Sequence, residues 1–170
     1  MLWVYIVALA AVALDQLSKR LAESLLQPIG DVALIDHVLH LTYLENTGAA
    51  FGMLSGARWF FILISFAAVV GIAIYIQRRK MPFHRLELLS LGMIMGGAVG
   101  NLLDRLLLGR VTDFIYVKII NFAVFNVADS FVSVGATLLC VYLLFMHEKY
   151  AQRLTPAPVG VPDDADQTHG

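Results

Sequence analysis

The sequence predicts an all-α membrane protein: four transmembrane helices with small extracytoplasmic β elements. Three observations carry that expectation. Of 170 residues, 59% are hydrophobic and 15% charged, against roughly 45 to 50% apolar and about 25% charged in soluble domains, and the mean hydropathy is +0.75. Four segments approach the roughly 20 apolar residues that a bilayer requires. Between the first and second of these, and again between the third and fourth, the chain is rich in β-branched and aromatic residues. With a net charge of -1 and no basic stripe interleaved with aromatics, nucleic acid is not an expected partner.

The spans are expected at about 2–22, 59–77, 86–104 and 127–147, within a single domain of residues 1–150. The first is the hardest to delimit. Its clean apolar run stops at Leu14, and Ala11-Val12-Ala13 resembles a leader-cleavage site. The basic n-region of a leader is missing, however. Leu14, Leu17, Leu21 and Leu25 continue a helical stripe past Asp15, so one helix reaching about Leu26 is expected. The second span is apolar apart from Ser65 and Gly71.

Orientation follows from Arg78, Arg79, Lys80 and Arg85, which crowd one short connection and place it in the cytoplasm. Both termini then lie in the cytoplasm. The two longer connections face the other side, the periplasm if the membrane is a bacterial inner membrane. There the alternation around Val38 to Leu44 and the composition of Val111 to Phe125 predict short strands. The proline-rich, acidic residues 151–170 read as a disordered cytoplasmic tail.

On the third span Gly92, Gly96 and Gly100 recur every four residues, a spacing that admits another helix backbone. The same helix ends in Asn101, Asp104 and Arg105, and the simplest reading of Asp104 is a charge snorkelling to the interface. Asp113 and Asp129 reach the same outer rim. Carboxylates near a membrane carry a functional reading by default, although Asn126 and Asp129 also fit an N-cap and a dipole-favoured acid on the fourth helix. Asp15 has Lys19 one turn on, a spacing for an ion pair.

Other chemistries lack their parts. No GxSxG elbow, HExxH, CxxC or ligand cluster is present, so neither a serine nucleophile nor a metal site is expected. The single cysteine, Cys140, reads as an inert buried thiol. Asp113 and Asp129 remain the economical catalytic set. Two readings compete with it: a small proton-coupled transporter using Asp15, Asp104, Asp113 and Asp129 as a relay, and a scaffold assembled on the glycine face. The relay suffers from having all four acids at one rim.

The stretches DQLSK (15–19), ENTGAAFG (45–52), GNLLDR (100–105), GRVTDFI (109–115) and FNVADS (125–130) resemble, in order and over about 115 residues, the lipoprotein signal peptidase (signal peptidase II) family. The resemblance implies a bacterial inner-membrane aspartic peptidase, without cofactor or metal, acting near the periplasmic face. Its substrates are prolipoproteins whose cysteine already carries diacylglycerol, cut just before that cysteine. It makes Asp113 and Asp129 the catalytic dyad, with Asn46, Gly48, Asn101, Arg105 and Asn126 supporting them or touching substrate. Asp15 and Lys19 fall in the first block with a less defined role. Expected partners are lipid-modified prolipoproteins and membrane lipids, with no obligate protein partner.

Overall fold

The computed structural model describes residues 1–154. Helix α1 (Leu2–Leu26) leads to the strands β1 (Asp31–Ile35) and β2 (Leu39–Asn46), and a short 3-10 turn at Ala50–Gly52 leads into α2 (Arg58–Arg78). Helix α3 (Arg85–Leu107) is followed by β3 (Val111–Val117) and a second 3-10 turn, Lys118–Ile120. Then α4 (Val127–Val141) passes through a π-helical turn, Tyr142–Met146, into α5 (His147–Leu154). Counting α4 with its continuation, four helices are long and apolar enough to cross a membrane. The predicted architecture is therefore the observed one. The last helix runs four residues into the predicted tail, whose remainder, 155–170, lies outside the described residues.

Helix α1 shows how lipid inverts the usual amphipathic logic. Its Leu14, Leu17, Leu21 and Leu25 face outward, whereas Val4, Ala8, Ala11, Asp15, Lys19, Ala22 and Leu26 are buried. Lipid tails are as apolar as leucine, so the bundle interior selects for small residues that approach closely and for polar groups that find partners. The glycines of α3 complete the fit. A Cβ at Gly92 would lie 2.7 Å from Val7 Cβ, one at Gly96 2.6 Å from Ala11 Cβ, and one at Gly100 2.5 Å from an Asp15 carboxylate oxygen. Gly97 is pressed in the same way against the Ala128 carbonyl, so α3 is wedged between α1 and α4. Toward the N-terminal end of α1, Val4, Ala8, Ile76, Leu91 and Met95 form an apolar core.

The predicted strand near Val38–Leu44 is β2, and the front half of Val111–Phe125 is β3; from Lys118 that stretch turns away, keeping a single bridge between Ile115 and Phe125. Strand β1 was not anticipated, being five mostly exposed residues. The three strands form an antiparallel sheet in the order β1-β2-β3. Phe114 seals the sheet onto Ala22 and Leu26 at the C-terminal end of α1. The β2–β3 register pairs Asn46 with Val111 and Leu44 with Asp113, which delivers Asn46 and Asp113 to one end of the sheet.

Cys140 is exposed on the outer surface of the bundle, contrary to the buried thiol expected. On α4 the cavity lining ends at Val134, and the helix surface at Cys140, about two turns beyond Ser133, is exposed.

Candidate active site

Each carboxylate is delivered by a different element. Asp113 sits on β3 and is 2% exposed. Asp129 is the third residue of α4, where the Asn126 side chain accepts from its N–H at 3.0 Å and its own carboxylate accepts from the Asn126 N–H at 3.2 Å. This reciprocal capping box starts the helix where it does. The capping reading of Asn126 and Asp129 is thus correct, and it coexists with a second set of contacts.

Three side-chain amides aim their N–H groups at the two acids. Asn46 donates to Asp113 Oδ2 at 2.8 Å, Asn126 to Asp113 Oδ1 at 2.6 Å, and Asn101 to Asp129 Oδ1 at 2.7 Å. Asn126 also donates to Asn101 Oδ1 at 3.2 Å, so the two carboxylates are joined through two amides. Gly48 donates its N–H to Asn46 Oδ1 at 2.8 Å, which turns the other end of that amide toward Asp113. Arg105 lies over the Phe61 ring at 4.9 Å and donates to the carbonyl of Gly48 at 3.2 Å.

Asp113, Asp129, Asn46, Gly48, Asn101 and Arg105 line one cavity of about 510 Å³, within the range of small-ligand sites. Its other walls, including Val111, Val134 and the segment 122–125, are mostly apolar. Burial pushes the Asp113 carboxyl up to about 6. The Asn46 hydrogen bond opposes that rise, the Asp129 charge adds to it, and the Asn126 hydrogen bond and Lys19 charge oppose it in turn. Such an environment supports acid/base work close to neutrality.

Asp15 and Lys19 lie behind the cavity, outside its lining. Lys19 Nζ reaches Asp15 at 2.8 Å, Asp104 at 2.9 Å and Asn101 Oδ1 at 2.9 Å. Asp104 is 4% exposed and is no snorkelling charge. It also accepts from Gln16 at 2.9 Å, and Asp15 accepts from the Ala128 N–H at 2.9 Å. Asp104 and Gln16 are participants that sequence reasoning missed. The signal for Asp104 was the glycine spacing, which extends from Gly92 through Gly100 to residue 104 on the face packed against α1. Among the described residues no group of three or more His, Cys, Asp or Glu is arranged to hold a metal.

The model of the signal peptidase II family matches residues 7–145. A lipoprotein signal peptidase of Caldanaerobacter subterraneus subsp. tengcongensis is 52% identical over 134 residues, covering 79% of this chain and 90% of that one. One from Clostridioides difficile is 43% identical over 149 residues, 88% of this chain and 99% of its own. A solved bacterial membrane enzyme superposes with a TM-score of 0.76 at 29% identity, covering 92% of this chain and 93% of the other. With most of its length matched and the motif residues gathered around one cavity, the chain belongs to the signal peptidase II family.

Proposed function

We propose that this protein is an aspartic endopeptidase that removes the signal peptide from diacylglyceryl-modified prolipoproteins, cutting just before the lipidated cysteine. The observation that carries this reading is the pair Asp113 and Asp129 facing one largely apolar cavity, coupled through Asn126 and Asn101. Two neighbouring carboxylates do not ionise together readily, and one proton is held between them. The raised Asp113 is the natural holder of that proton.

On this reading the Asp129 carboxylate takes a proton from water as the water oxygen bonds to the scissile carbonyl carbon. Asp113 gives its proton to the carbonyl oxygen, producing a neutral gem-diol. When the C–N bond breaks, the proton on Asp129 passes to the departing nitrogen of the lipidated cysteine. The diol proton returns to Asp113 as the new carboxyl end forms, and the dyad regains its starting state. Asn46, Asn101 and Asn126 hold the two acids in place throughout, and Arg105 with the carbonyl of Gly48 shapes the mouth.

The transporter reading finds no support in the comparisons or the packing. Asp15 and Asp104 are tied to Lys19, and the core between Val4 and Met95 is apolar. Glu87, buried toward the far end of α3, is engaged by Arg79 and Tyr75. It lies 17 residues from Asp104, about 25 Å along the helix at roughly 1.5 Å per residue.

Membrane placement belongs to the same proposal. Arg78, Arg79, Lys80 and Arg85 set their loop in the cytoplasm, which puts both termini there and the cavity near the periplasmic face of an inner membrane. The direct test is release of signal peptide from a diacylglyceryl-modified precursor by the purified protein in detergent. Wild type is expected to cleave it and the folded Asp129→Asn protein to leave it intact. Near-normal cleavage by that variant would reduce Asp129 to a helix cap. A reporter active only in the periplasm is expected to work after Ile115 and to be silent after Lys80.

A further inference from the structure

A second cavity of about 400 Å³ adjoins the first. The two share Asn46 and the segment 122–124, so the side chain that holds Asp113 in place also stands at the border between them. Beyond that border the lining changes character. Glu45, Thr47, Ser55, Tyr116 and Asn121 add a polar wall to the apolar Leu44, Phe51 and shared segment 122–124 of the second cavity, which is richer in polar groups than the surface around the dyad.

Part of that wall has hydrogen-bonding capacity in reserve. Glu45 Oε1 accepts from the Tyr43 hydroxyl at 2.9 Å and from Arg110 at 2.8 Å, while its Oε2 has no partner among the described residues. Asn121 Oδ1 accepts from the Tyr116 hydroxyl at 2.7 Å, and its amide N–H₂ likewise has none among the described residues. The remaining pair, Thr47 and Ser55, hydrogen-bond to each other at 2.7 Å and are exposed. Glu45 is the only charged residue in this lining; its partner Arg110 lies outside the lining and offsets part of its charge.

We propose that this second cavity is a subsite for the first residues of the mature chain, those that follow the lipidated cysteine. It takes an extended polar segment and favours neutral or basic residues over acidic ones. The inference rests on the peptidase reading above and deepens it. A prolipoprotein changes character at its cleavage point, with an apolar signal segment before the cysteine and a water-bound chain after it. An extended chain advances up to about 3.3–3.6 Å per residue, so the second and third residues past the cut reach roughly 7–11 Å from it. The polar wall of the adjoining cavity offers them one acceptor and two donors, and its carboxylate disfavours an acidic side chain.

The experiment compares synthetic diacylglyceryl-cysteine precursors cleaved by the full-length protein in detergent. One precursor ends at the lipidated cysteine as its amide, and others extend it by four residues that are neutral, dibasic or diacidic. Extension by neutral residues is expected to raise kcat/KM about ten-fold, the worth of one or two net hydrogen bonds. The dibasic extension should exceed the diacidic one by about three- to five-fold, as a half-exposed charge allows. Ser55→Phe, which fills the second cavity from a residue that does not line the first, should remove the gain from extension. Glu45→Gln should erase the charge preference, and it decides the matter by itself should Ser55→Phe fail to fold. Equal cleavage of truncated and extended precursors by wild type, or a charge preference that survives Glu45→Gln, would overturn the subsite. Failure to cleave any precursor would instead remove the peptidase reading on which it rests.

Discussion

Two pairs of acids, Asp15 with Asp104 and Asp113 with the half-buried Asp129, stand back to back at the same end of the bundle, and their surroundings differ. Asp15 and Asp104 share one ammonium group, Lys19, and each takes at least one further donor, so the cluster is closed. Asp113 and Asp129 accept from amide and backbone N–H groups, and Arg105, on the wall of the same cavity, spends its hydrogen bonds on the carbonyls of Asn101 and Gly48. The second pair opens onto the cavity, and the first lies outside its lining. A buried acid whose charge is matched by a hydrogen-bonded cation has little chemistry left. One held by neutral donors beside an open space keeps its proton equilibrium available for a reaction. Asn101 links the two worlds, since Lys19 fixes its oxygen and thereby turns its N–H₂ toward Asp129.

The largest effect expected from breaking this contrast is on turnover. Asp113→Asn and Asp129→Asn should each lower kcat by about 10³- to 10⁵-fold, with the double variant little worse than either, because the two groups act as a unit. Thermal melting should show both proteins folded, since asparagine is nearly isosteric with aspartate and the N-cap of α4, Asn126, is untouched by either change. Multiplicative losses in the double variant would mean that the two acids do not share a step.

Next in size is damage to the closed cluster. Lys19→Met removes the cation from Asp15 and Asp104, which are almost completely buried. Stranding buried charges in this way costs roughly 3–5 kcal/mol. The expectation is a large fall in melting temperature, with partial recovery when Asp104→Asn is added. A Lys19→Met protein as stable as wild type would show that the two clusters are not different in kind.

How much of this was legible in the sequence depends on the length scale of the signal. The four spans follow from apolar runs that need no tertiary information, and Asp15 with Lys19 follows from helix spacing. Asp113 and Asp129 could be singled out because five short motifs, each weak alone, occur together and in order. Asp104 could not be placed, because a carboxylate at a helix end looks the same whether it snorkels or pairs, and its partner lies on another helix 85 residues away in sequence. The leucines of α1 were visible as a stripe, but which face meets lipid depends on the Gly92, Gly96 and Gly100 seam. Strand β1 escaped because it is short and mostly exposed, which leaves no alternation to read. The link from Asn101 through Asn126 to Asp113 is pure tertiary geometry.

The smallest predicted effect sharpens the comparison by reading Asp113 through stability. Its carboxyl is raised from the ordinary 3.8 to about 6, chiefly by burial. Below the lower value both folded and unfolded chains hold the proton, and Asp113 costs the fold nothing. As pH rises from about 4 to about 6 the unfolded chain releases the proton while the folded one retains it, so stability falls across that window and levels off above it. The gap corresponds to about 3 kcal/mol at roughly 1.36 kcal/mol per pH unit. Asp113→Asn cannot titrate. Its amide meets the N–H₂ groups of Asn46 and Asn126, which adds an offset independent of pH. Melting temperatures of wild type and Asp113→Asn, measured in one detergent from pH 4 to pH 7.5, should therefore diverge in favour of the variant as pH increases. A wild type that gains on the variant over this range would mean that the carboxylate at position 113 is welcomed by its amide donors. The contrast between the closed and the open cluster would then have to rest on the cavity alone.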